Sequence, residues 1–174
     1  MRRNELPNKI KYVKNFFNLA QEYLKASKTL NKQFPDPDLN KVNSIDELRE
    51  LKYPLLNVRA FLLGHALELA LKSFLLNSGI SLADIRNRHK FGHDILKCYD
   101  SAREKGLNIF EANKETENSN LRFTIKELNS GYCKKALEYC IKSNYFVPLP
   151  SYFEAEVDTI FEKIEAKIKE NTYE

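Results

Sequence analysis

Cysteine is scarce in this chain and odd in number: Cys98, Cys133 and Cys140, with no CxxC pair. That leaves no basis for a disulfide framework or a zinc cage, and predicts free, partly buried thiols. Glycine and proline are also few, five and six in 174 residues, while 43% of the chain is hydrophobic and 30% charged. Collagen-like and disordered classes are thereby excluded, and one globular helical domain of ordinary size is expected over residues 1–174. Tryptophan is absent, which excludes nothing. No apolar run without a charge reaches transmembrane length, and the basic opening MRRNELPNKIKYVKNFF lacks an unbroken apolar stretch of signal-peptide length. A cytoplasmic protein with no membrane partner is the expectation. Excess charge of one sign is small as well: 28 Lys and Arg against 24 Asp and Glu give a formal +4, which tolerates a polyanionic partner without demanding one.

What is present is helical periodicity. Pro7 suits a first turn, and Ile10, Val13, Phe17, Ala20 and Leu24 recur at steps of three and four, giving one apolar stripe that FPDPDLN ends. Ser44 and Glu47 read as a capping box for a short helix, SIDELRELK, which Pro54 separates from the next element. Leu55 to Asn77 is apolar around most of its circumference and predicts the central, most buried helix, closed by Gly79 in a left-handed turn. His65, Glu68 and Lys72 lie on one narrow stripe of it. Two readings of that stripe stand: an intrahelical ion pair beside a hydrogen-bonded histidine, or a polar seam facing a groove or a second subunit.

After a short turn at SLADIR, the segment RNRHKFGH concentrates Arg86, Asn87, Arg88, His89, Lys90 and His93. It precedes an amphipathic stretch with Ile95, Leu96, Tyr99 and Ala102 facing inward and Gly106 as its cap. NKETENSN reads as an exposed, mobile loop. The next helix is expected near Leu121, with Ile125, Leu128, Tyr132, Cys133, Ala136 and Leu137 on its apolar face and a weak point at Ser130 and Gly131. NYFVPLP is expected to be extended. Ser151 and Glu154 read as a second capping box, opening a last helix over about 151–171 that buries Val157, Ile160, Phe161, Ile164 and Ile168. Tyr12, Tyr132, Tyr139 and Phe146 could stack on bases, although aromatics at helical spacing are usually core.

HALELALKSFLL followed by KFGHDILKCY resembles the paired signatures of the HEPN family over roughly Leu55 to Ala102. In that family a central helix carries a Glu and, four residues on, a Lys, matched here by Glu68 and Lys72. The next helix opens with His-Asp-hydrophobic, matched by His93, Asp94 and Ile95. The resemblance implies an all-α up-and-down bundle of about five helices with short accessory helices, its core over about 8–140, frequently dimeric. It implies metal-independent RNA cleavage or RNA binding in a toxin-antitoxin or defence system, or else a non-catalytic partner-binding or oligomerisation module, for example a companion of a nucleotidyltransferase. Neither cofactor nor metal is implied. Active members carry an Arg followed after four to six residues by a His, the arginine stabilising phosphate charge and the histidine moving a proton. Arg88 to His93 fits that spacing, as do Arg86 to His93 and Arg59 to His65. Arg88 and His93 are the candidate catalytic pair; Arg86, Asn87 and Lys90, with His65, Glu68 and Lys72, are candidate contacts to RNA or a nucleotide.

Overall fold

A computed structural model describes residues 6–41, 44, 46–47, 55–110, 115–135, 137 and 148–171. Among these the chain is a bundle of helices without a strand: α1 (Leu6–Gln33), α2 (Leu56–Asn77), α3 (Leu82–Arg86), α4 (Ile95–Glu104), α5 (Glu115–Tyr132) and α6 (Pro150–Glu170), with a 3₁₀ turn at Leu39–Lys41. Every other helix touches α2. That follows from its composition, since from Ala66 to Leu76 every successive residue is buried, none more than 7% exposed, so this stretch of the helix is covered on all sides. By length and composition alone α2 could cross a membrane, yet 78% of its most apolar window is buried within the bundle.

Helix α1 ends where Phe34 precedes Pro35, a position that disfavours helical backbone. Its stripe of Val13, Phe17, Ala20 and Leu24 is buried, as expected. Small residues at the seam let α1 and α2 approach until side chains reach main chain. Ser73 Oγ donates to Val13 O at 2.9 Å, and Ser27 Oγ to Arg59 O at 3.3 Å. Helix α2 closes in a Schellman turn: Ile80 N–H donates to Leu75 O and Gly79 N–H to Leu76 O, with Gly79 at φ +99°. Helix α6 buries Val157, Ile160, Ile164 and Phe161, the last against Phe17 with ring centroids 5.7 Å apart.

Three expectations are corrected. Helix α5 begins at Glu115, so the last six residues of NKETENSN are helix rather than loop, and Ser130 and Gly131 do not interrupt it. Cys133 is exposed, because the chain leaves the helix there in a turn with Lys135 at φ +58°, whereas Cys98 is sealed in the core. Ser151 is not the cap of α6, which starts one residue earlier with Pro150. Ser44 does accept the Glu47 N–H, at 3.1 Å, as half of its capping box. Ile45 and residues 48–52 of that short helix, together with Ala136, Tyr139, Cys140 and Phe146, lie outside the described residues.

The start of α6 is served from across the chain. Asp36, just past α1, accepts from the Ser151 N–H at 3.3 Å and from Ser151 Oγ at 2.5 Å. The same carboxylate meets Arg59 Nη2 at 2.5 Å, and Arg59 Nη1 donates to Asn31 Oδ1 at 3.1 Å and to Phe34 O at 2.9 Å. Asn31 passes the connection on to Glu154. Arg59 is 0% exposed, so this knot locks the ends of α1, α2 and α6 with a cation that has no access to water. Truncating Arg59 leaves Asp36 buried and uncompensated, and Arg59→Ala is expected to lower stability by about 3–5 kcal/mol in equilibrium urea unfolding. Arg59→Lys, which cannot fork to three acceptors, recovers only part of that loss.

Candidate functional site

The second polar cluster is half open. Glu68 is 2% and Lys72 7% exposed, an unusual depth for two charged residues, and Lys72 Nζ reaches Glu68 Oε1 at 2.6 Å one helical turn away. At a surface such a pair contributes little, but in the interior each charge must find every partner it can. Lys72 Nζ takes the Gly92 carbonyl at 2.5 Å. The second carboxylate oxygen, Glu68 Oε2, accepts from Tyr132 OH at 2.5 Å and faces His93 Nδ1 at 3.1 Å. His65 Nδ1 lies 2.7 Å from the Tyr132 hydroxyl and 3.8 Å from Glu68 Oε2. The cluster thus joins α2, the 87–94 loop and the end of α5.

Local sequence explains how these groups arrive. In the loop, Asn87 O accepts the N–H groups of Lys90, Phe91 and Gly92, and Asn87 Oδ1 that of His89. Phe91 anchors the turn in the core, and Gly92 has φ +49° with room for no side chain, since an added Cβ would sit 2.8 Å from Arg88 O. Asp94 then caps α4, accepting the Lys97 N–H at 2.9 Å. Asn129 on α5 clasps the same junction, donating to Asp94 Oδ1 at 3.0 Å and accepting the Ile95 N–H at 2.8 Å. His93 is therefore held on both sides in sequence, by Lys72 through Gly92 and by Asn129 through Asp94, while its own side chain stays 57% exposed. Gly64 on α2 admits the Tyr132 ring: an added Cβ would meet Tyr132 Cδ2 at 2.8 Å.

Burial pushes the Glu68 carboxyl up. The Lys72 ammonium, with hydrogen bonds from Lys72, Tyr132 and His93, outweighs burial and holds it below the usual carboxylate range. Burial, reinforced by the Glu68 charge, drives the Tyr132 hydroxyl far above its ordinary value, so it stays protonated and donates. A carboxylate can only accept, so His93 Nδ1 carries the proton in that bond and Nε2 is the ring's remaining nitrogen. Burial likewise pushes the Cys98 thiol up to about 12, leaving it unreactive. Among the described residues, Phe61, His65, His93, Tyr132 and Lys135 line a pocket of about 220 Å³ beside this cluster.

Four of the residues singled out from the sequence, His65, Glu68, Lys72 and His93, are thus assembled at one place. The intrahelical ion pair beside a hydrogen-bonded histidine is present, and of the stripe only His65 lines the pocket. The basic loop residues have other positions. The Arg86 guanidinium lies over the Tyr12 ring, 5.5 Å from its centroid; Lys90 pairs with Asp84; Asn87 organises the turn. Arg88 is exposed and is not among the side chains lining the pocket. Arg59, the alternative partner for His65, is consumed in the buried knot. Sequence reading missed Asn129 and gave Tyr132 only as a core or stacking aromatic. The available signal was a polar Asn beside Leu128 and three residues before Tyr132 on one helix. No family model, curated protein or solved structure matches this chain.

Because the folded Glu68 carboxyl titrates below its ordinary 4.5, it contributes stability that is present above that value and lost as pH falls through the folded value. The gap between wild type and Glu68→Gln in urea unfolding should be widest near neutrality and narrow as pH falls below about 4.5; a gap that ignores pH would contradict the assignment. Gly64→Ala improves intrinsic helix propensity by about 1 kcal/mol, yet should destabilise by about 1–3 kcal/mol through the Tyr132 ring, read by thermal unfolding.

Proposed function

We propose that this chain is a HEPN-like protein of the cytoplasm that binds and cleaves RNA without a metal, with the pocket beside Glu68 as its site and His93 as the group that moves the proton. One observation carries the reading: a largely exposed imidazole anchored through Nδ1 to a buried, charge-compensated carboxylate, on a pocket walled by aromatic rings and one lysine. A carboxylate in that place fixes ring orientation and tautomer and balances the imidazolium that forms, the relation that makes histidine an effective base. The reaction is an internal transesterification. His93 Nε2 takes the proton of a ribose 2′-hydroxyl, the 2′ oxygen forms a bond to phosphorus, and the bond from phosphorus to the 5′ oxygen breaks, that oxygen taking a proton from water.

Phe61, half-buried at the pocket, supplies a face on which an unpaired base can stack, and Lys135 a positive charge for the phosphate. Arg88, on the same loop as His93, is the second candidate for phosphate charge, reaching it from outside the pocket when RNA is bound. The bundle is proposed to work as a homodimer, pairing two such loops around one strand.

The test is cleavage of a mixed RNA pool in excess chelator. Wild type is expected to cleave, His93→Ala to lose at least about 100-fold, the usual worth of a positioned acid or base, and Arg88→Ala to lose less, mainly through weaker binding. Arg59→Lys, at a residue that does not line the pocket, should keep the activity of its folded fraction. Cleavage that survives in His93→Ala would remove the site; no cleavage by wild type would remove the activity.

A further inference from the structure

The pocket carries two histidines, and one tyrosine lies between them. Tyr132 OH is 2.5 Å from Glu68 Oε2 and 2.7 Å from His65 Nδ1, while the same Glu68 oxygen is 3.1 Å from His93 Nδ1. A phenol has one proton to give. Beside a carboxylate buried at 2% exposure, that proton must lie between the two oxygens, since two unprotonated oxygens at this distance would repel with no water to intervene. The phenolic oxygen is then left only as an acceptor, and His65 Nδ1 must donate to it.

We infer that Tyr132 is a positioning residue that imposes the Nδ1–H tautomer on His65, joining both pocket imidazoles to Glu68 in a single hydrogen-bond chain with His93. The order of donors is His65 Nδ1–H to Tyr132 O, Tyr132 O–H to Glu68 Oε2, and His93 Nδ1–H to the same Glu68 oxygen. Both rings are thereby committed through Nδ1, the nitrogen that in a free neutral histidine is usually bare. Ring contacts fix His65 further. Tyr23 of α1 meets it edge-on with centroids 4.4 Å apart, and Phe61 lies nearly parallel at 5.8 Å. The charged and titratable groups around the chain include Lys72 and Glu68 from α2, Tyr23 from α1, Cys98 from α4, and Tyr132 and Lys135 from the end of α5 and the turn after it. Gly64 belongs to the same device, because only a residue without Cβ lets the Tyr132 ring come close enough to α2 for its hydroxyl to reach Glu68.

The inference deepens the proposed reading of the pocket by giving it a second oriented imidazole, but its measurement needs no RNA. Long-range ¹⁵N–¹H spectra of the full chain report the tautomer of each histidine at a pH where the rings are neutral. In wild type, His65 and His93 should both show the Nδ1–H pattern, and the exposed His89 the ordinary Nε2–H pattern. In Tyr132→Phe, which keeps ring volume, His65 should revert to Nε2–H while His93, still on Glu68, keeps Nδ1–H and so reports that the site is folded. His65 in the Nε2–H form in wild type, or unchanged in Tyr132→Phe, would overturn the inference. Correct tautomers in a protein that cleaves no RNA would leave the chain standing and remove the activity instead.

Discussion

The Glu68–Lys72 pair, two opposite charges one turn apart inside the most apolar helix of the chain, is the constraint on which this end of the molecule depends. Left to themselves, a carboxylate and an ammonium at this depth cost more in lost hydration than their attraction returns. They are tolerable because each charge gathers further hydrogen bonds beside the ion pair itself: the Gly92 carbonyl for Lys72, the Tyr132 hydroxyl and the His93 imidazole for Glu68. Those answers dictate the surroundings. The loop after α3 must return to α2 to deliver Gly92 and His93, α5 must end where Tyr132 can reach in, and α2 must carry glycine rather than alanine at position 64. The local architecture is the solvation shell of one ion pair.

The Arg59 knot offers a comparison within the same helix. It too places a charge in the interior and gathers partners from distant segments, Asn31 and Asp36 beside it and Ser151 beyond. Its arginine has no exposure, so it serves the joining of α1, α2 and α6. The Glu68 cluster differs by one feature, an imidazole with one nitrogen inside and the rest of its ring outside. That asymmetry separates a site from a structural lock, and it also separates the two histidines that share an arginine spacing. His65 is paired in sequence with an arginine committed to the core, and His93 is not.

Much of this was legible because it is local. The stripe on α1, the all-round apolar α2, the left-handed Gly79 and the His-Asp-Ile helix start are each set within a few residues, and local rules describe them. The grouping of His65, Glu68 and Lys72 followed from helical geometry alone. What escaped is long-range. Tyr132 joins Glu68 across 64 positions and Asn129 joins Ile95 across 34, and neither periodicity nor capping rules connect such residues. Ser151 and Glu154 have the letters of a capping box, but Pro150 had already begun the helix and Asp36, 115 positions away, satisfied its first turn. The early start of α5 was missed for the opposite reason, since its first residues, ETENSN, are all polar and carry no apolar periodicity to betray a helix.

The central claim is that the Glu68–Lys72 pair is kept for what it positions rather than for stability. Equilibrium unfolding of Glu68→Met and Lys72→Met, singly and together, tests it most directly. Each single substitution strands one buried charge and should cost about 3–5 kcal/mol, whereas the double substitution removes both charges and should come within about 2 kcal/mol of wild type. A double variant that loses the sum of the two single losses would contradict the claim and make the pair a pillar of the fold itself.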